Sequence, residues 1–132
     1  MSIINEYEVV FEPFTERHFI RTFAKKYKGA WDITLHFLVV EFRFIDALFL
    51  KNTAETIVDS KEVKICKTEF KIAGTQESRH GSGNRCIVAI HKDISKVKVL
   101  LVYHKNNLNV DNETASWKNL IKENYPEYAK IL

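Results

Sequence analysis

Between Val63 and His104 three segments rich in β-branched and aliphatic residues follow one another, VKICKTEFKI, RCIVAIHK and VKVLLVYH. This succession constrains the fold more than any other feature of the chain. Side chains alternate between the two faces of a strand, so Cys66, Phe70 and Ile72 share one face of the first segment and Lys67, Glu69 and Lys71 the other. In the second, Cys86, Val88 and Ile90 oppose Arg85, Ile87, Ala89 and His91. The third is apolar on both faces until His104 and Lys105, the pattern of a strand with neighbours on both sides. Asp93 to Lys96 is a hairpin-length connection between the last two.

The flanking sequence supplies helices. Tyr7 to Phe14 (YEVVFEPF) reads as a short first strand stopped by Pro13, and Thr15 can cap a helix beginning there. In TERHFIRTFAKKY the apolar Phe19, Ile20, Phe23 and Tyr27 recur at helical spacing, with Arg17, Arg21, Lys25 and Lys28 on the opposite side and Gly29 as the stop. A second helix is expected from about Asp32 to Lys51, with Leu35, Leu38, Val39, Phe42, Ile45 and Phe49 as its apolar stripe. The stretch Asn52 to Glu62 reads as a polar connection. A last helix runs from Asn112, a cap candidate, to before Pro126, with Trp117, Tyr125 and Tyr128 as packing groups. The expected architecture is α+β: a single domain over 1–132, with a first strand and helical hairpin (7–51) packed on a mainly antiparallel four-stranded sheet whose basic strands span 63–105, and a C-terminal helix over 112–125.

The 132 residues suffice for one core without a metal or disulfide. The apolar window Ile33 to Leu50 contains His36, Glu41, Arg43 and Asp46, so it reads as a core helix and not as a membrane span. MSIINEYEVV lacks the basic and apolar regions of a secretory leader, which makes a cytoplasmic location the expectation. Cys66 and Cys86 lack the spacing of a metal or redox motif and are expected as reduced core thiols. The net charge of +3 is unevenly spread: Lys61 to Lys105 holds ten Lys/Arg against four Asp/Glu, and His80, His91 and His104 fall there too. Such asymmetry marks a polyanion-binding face or a solvated lysine-rich surface.

Among the chemistries open to the chain, nucleotide-driven ones are disfavoured, since GSGNR lacks the spacing of a Walker loop or a dinucleotide fingerprint. No nucleotide cofactor and no metal is expected. The candidate site is a set of polar residues at the strand ends: Lys67, Glu69, Lys71, Arg79, His80, Arg85, His104 and Lys105. RNA phosphodiester cleavage needs a base for the 2′-hydroxyl proton, cations around the phosphorane and an acid for the leaving oxygen, all of which this set contains. Plainer roles stand beside these. Glu69 fits a surface ion pair with Lys67 or Lys71, Arg85 a strand start held by carbonyls, and His104 a packed histidine under the last helix; GTQESRHGSGN fits a simple turn.

The order strand, helical pair and three strands, with FKIAG, SGNRCIVAI and VKVLLVYHKNNL, resembles the RelE/ParE toxin superfamily over roughly Tyr7 to Leu108. The resemblance implies a toxin of a toxin–antitoxin system that cleaves messenger RNA on the ribosome, with a cognate antitoxin as partner. By position it implies catalytic roles for Glu69, Lys71, Arg85 and His104, and phosphate binding by Lys67, Arg79, His80 and Lys105. The family also contains ParE-like toxins that bind gyrase, and inactive nucleic-acid-binding relatives are a further alternative.

Overall fold

The computed structural model describes residues 5–51, 53–108 and 111–132. The first four residues, part of the stretch in which no leader was expected, lie outside these. Five strands form one mixed sheet: β1 (Glu8–Phe11), β2 (Ala54–Asp59), β3 (Val63–Phe70), β4 (Asn84–His91) and β5 (Lys96–His104), in the order β1-β5-β4-β3-β2. β2 to β5 form an antiparallel meander, and β1 lies parallel to β5 with Glu8 opposite Lys96. The α+β class holds, but the four-stranded, mainly antiparallel sheet must be corrected to five mixed strands. The extra strand is β2. The expected connection began at Asn52, outside the described residues, and from Ala54 its Thr56, Ile57 and Val58 are β-branched. Its polar Glu55 and Asp59 stay in water because β2 is an edge strand, bulged between Thr56 and Val58.

The expected helices also break into shorter pieces. Pro13 opens α1 (Pro13–Thr15), a wide π segment covers Glu16–Ile20, and α2 comes next (Arg21–Lys26). Pro at the first helical position loses no hydrogen bond there. Thr15 does not cap; its buried hydroxyl accepts from the Val102 N–H at 2.9 Å, tying the helix start to β5. Gly29, at φ 81°, makes the turn into α3 (Ala30–Arg43), and the second expected helix breaks at Phe44 before α4 (Asp46–Leu50). The last helix, α5 (Glu113–Asn124), is capped by Asn112, whose side chain accepts from the Ala115 N–H at 3.3 Å; Pro126 then opens a short α6 (Pro126–Ala129).

Alternation along the strands creates two cores, one on each face of the sheet. Cys66, Phe70, Cys86, Val88 and Ile90 pack under Phe23, Trp31, Leu38 and Phe42 of α2 and α3. On the other face Ile65, Ile87, Ala89, Leu101 and Tyr103 pack under Trp117 and Ile121 of α5, Tyr128 of α6 and Tyr125 between the two helices. The sheet is therefore covered on both sides, and each fully buried Leu, Ile or Phe contributes about 2 to 3 kcal/mol of transfer free energy. Both cysteines are buried free thiols, and burial pushes Cys66 up to about 12 and Cys86 up as well, so neither is a thiolate near neutral pH. Among the described residues, no helix is long and apolar enough to cross a membrane.

Candidate functional site

Register decides which of the candidate residues meet. Glu69 of β3 lies opposite Arg85 of β4, and Arg85 lies opposite Tyr103 of β5, so the three form a row across the face that α5 covers. Arg85 is only 5 % exposed. Its Nη1 is 3.8 Å from Glu69 Oε1, and its Nε is 3.3 Å from Glu113 Oε2 at the start of α5. Neither nitrogen makes a hydrogen bond to another group among the described residues, so the attraction is Coulombic. Glu113 Oε2 also accepts from the Tyr103 hydroxyl at 2.8 Å. Burial, then that hydrogen bond to Glu113, push the Tyr103 phenol above its ordinary value. Arg85 is thus clamped between two carboxylates beneath α5.

Glu69 also points outward. Its oxygens lie 2.9 and 3.0 Å from His80 Nδ1, while the His80 side chain is 82 % exposed. The pair opens into a depression of about 370 Å³ lined by Thr53, Ala54, Glu55, Lys67, Glu69, Arg79 and His80. Lys67 Nζ reaches Glu55 at a loose 3.6 Å, on a carboxylate that is itself mostly exposed. Arg79 is held differently: Nη1 and Nη2 donate to Glu41 Oε1 and Oε2 of α3, both at 2.8 Å. This two-pronged pairing is the strong form of an Arg–carboxylate contact and pushes the guanidinium pKa up. The loop between β3 and β4 therefore straddles the sheet end, with Arg79 anchored to α3 and the adjacent His80 reaching over to Glu69. Ser82 fixes its return, donating to the Phe70 carbonyl at 2.6 Å.

Five of the eight expected residues, Lys67, Glu69, Arg79, His80 and Arg85, come together at this end. The other three do not. Lys71 sits just past the end of β3 and lines a separate depression with Thr34, Phe37, Leu38, Glu41, Phe70 and Arg79 along α3. His104 is opposite Asn84 and so faces the α2 side, away from the Arg85 row. It lines a third depression with Thr22, Phe23, Lys26, Tyr27, Asn84, Asn106 and Asn107, and its Nδ1 accepts from the Asn106 N–H at 3.0 Å. Lys105 is exposed in the adjoining turn, its N–H donating to the Gly83 carbonyl. The arrangement of Lys71, Arg85 and His104 around one phosphate is thus not the one the fold makes: Arg85 and His104 stand on opposite faces, because the odd and even positions of paired strands diverge.

Sequence reasoning missed Glu41, Glu55, Tyr103 and Glu113, the partners that set the charge of the site. Nothing local distinguishes them; the signal for Glu113 is only that of an acid in a first helical turn. Comparison with known proteins finds no matching family model, no matching curated protein and no matching solved structure.

Proposed function

We propose that this chain is a metal-independent endoribonuclease whose reacting groups are His80 and Lys67, with Glu69 positioning the imidazole. The observation that carries this reading is the exposed His80 ring held at Nδ1 by Glu69 at the mouth of a polar depression. A carboxylate on Nδ1 fixes the ring and leaves Nε2 to exchange a proton with a bound substrate. In the proposed step His80 takes the 2′-hydroxyl proton, the 2′-oxygen attacks the adjacent phosphorus, and the bond from phosphorus to the 5′-oxygen breaks. The proton passes from His80 to that oxygen, leaving a 2′,3′-cyclic phosphate and a free 5′-hydroxyl. Lys67, loosely held by Glu55, can swing to the phosphorane oxygens. Arg79 and Arg85, already paired with carboxylates, serve as struts.

The setting of a toxin, with messenger RNA on the ribosome as substrate and an antitoxin as partner, rests on the resemblance to RelE-like proteins. A second reading has its own support: with Arg85 enclosed and Arg79 locked, little free positive charge remains at the depression, as suits a non-catalytic relative or a ParE-like binder. Cleavage of a short RNA, alone and programmed on purified ribosomes, separates the two. Expected are 2′,3′-cyclic phosphate ends in the presence of EDTA, and a loss of about 10²- to 10⁴-fold in rate for His80→Ala. Absence of cleavage in both formats, or an undiminished rate in His80→Ala, refutes the nuclease reading; growth arrest without new message ends favours the second.

A further inference from the structure

The strongest unpaired positive charge among the described residues lies outside the segment that looked most basic. From Glu16 to Lys28 five cations, Arg17, Arg21, Lys25, Lys26 and Lys28, face one acid, Glu16. Arg17, Arg21 and Lys25 recur every four residues on the side opposite the buried Phe23, and all five cations are exposed. Among the described residues, none of the five has a carboxylate within ion-pair distance, whereas Lys67, Arg79 and Arg85 all do. The depression of about 280 Å³ opens on the adjoining side of α2, where Thr22 and Lys26, the chain neighbours of Arg21 and Lys25, line it with Tyr27, Asn84 and His104. Asn84 is 2 % exposed, and its Oδ1 is buried with no hydrogen-bond donor among the described residues. That oxygen is an unused acceptor in the wall of a depression that also holds an aromatic ring and an imidazole. Gly83 brings the His104 tip against the wall, since a Cβ there would stand 2.7 Å from His104 Nε2.

We propose that this surface, on the face of the sheet opposite the Glu69–His80 pair, binds single-stranded RNA: Arg17, Arg21 and Lys25 along the phosphates, and the Tyr27–Asn84–His104 depression holding one base. The cations supply the sequence-independent attraction, Tyr27 a surface on which a base can stack, and Asn84 Oδ1 an acceptor for a base amino group. An anionic membrane is a poorer fit because Ile20 and Phe23, the apolar side of the segment that carries the stripe, are spent on the core, and the exposed Ile33, Phe37 and Val40 lie on α3, outside the stripe. An acidic protein would use the cations but has no base to place in the depression. The surface does not depend on the cleavage step, so each reading can fail alone.

The test is fluorescence anisotropy with a labelled 2′-O-methyl RNA 12-mer, which cannot be cleaved, across a series of salt concentrations. Replacing Arg17, Arg21 and Lys25 together by Gln is expected to weaken binding at least tenfold at low salt. The same change should flatten the slope of log affinity against log salt by about two, since each phosphate contact on a single strand contributes about 0.7. Lys51, Lys122 and Lys130 replaced by Gln remove as much charge elsewhere and should change binding less than twofold. Equal losses from the two triple variants, or an unaltered slope in the first, overturn the proposal. So does binding of a poly-glutamate peptide or of anionic phosphatidylserine vesicles as tight as that of the RNA.

Discussion

The Glu69–His80 end of the sheet and the helical stripe of Arg17, Arg21 and Lys25 treat their cations in opposite ways. Beneath α5, Arg85 is enclosed by Glu69 and Glu113, and at the loop Arg79 is taken by Glu41. Beside α2, Arg17, Arg21 and Lys25 stand in water with no carboxylate partner among the described residues. Formal charge counts both sets alike, but only the second can release counterions when a polyanion arrives. A buried cation between two carboxylates is an element of architecture, and its removal should be felt in stability before binding.

The largest expected effect tests that distinction. Arg85→Met leaves Glu69 and Glu113 facing each other against an apolar wall, and should destabilise the fold by about 2 to 4 kcal/mol in urea unfolding. Adding Glu113→Gln, which keeps an acceptor for Tyr103, should recover part of that loss. A fully stable Arg85→Met protein that no longer binds RNA would invert the comparison and make Arg85 a phosphate anchor. Next in size is Gly83→Ala, at the boundary between the two faces. Gly83 has φ 79°, and an added Cβ would meet His104 Nε2 at 2.7 Å. Strain of about 1 to 3 kcal/mol is expected, with loss of the His104–Asn106 contact visible as a shift of the Asn106 amide resonance.

The smallest effect lies at the far end of the α5 face. His91 Nε2 is 2.8 Å from the Tyr128 hydroxyl, and its pKa is lowered from 6.5, first by burial and then by Lys98. A lowered folded-state value means that the unfolded chain binds the proton more tightly. The neutral form contributes its stability fully above about pH 6.5, and that contribution is lost as the pH falls from there through the folded value. The thermal midpoint should therefore drop below pH 6.5, and His91→Gln should make that part of the profile shallower.

Much of the fold could be read from local pattern. The alternation in VKICKTEFKI and RCIVAIHK sorted Cys66, Phe70, Cys86 and Val88 onto one face and Arg85 onto the other, as found. The packing role of Trp117, Tyr125 and Tyr128 and the cap at Asn112 were equally legible. β2 was missed because an edge strand buries only part of itself, so Ala54–Asp59 keeps enough polar residues to resemble a connection. The parallel pairing of β1 with β5 was invisible, since residues as far apart in the chain as Glu8 and Lys96 share no local signal. The candidate site was half legible: the polar strand ends were evident, but pairing across strands sent His104 and Lys71 elsewhere.

The sequence by itself determined most of the strand and helix segments, and which side of β3 and β4 is apolar, because those depend on periodicities of two and about four along the chain. Only the tertiary structure decided which charges are neutralised. Ion pairing depends on separations of a few ångströms between groups such as Arg79 and Glu41, or Arg85 and Glu113, that lie about thirty to forty residues apart, and no period along the chain encodes that.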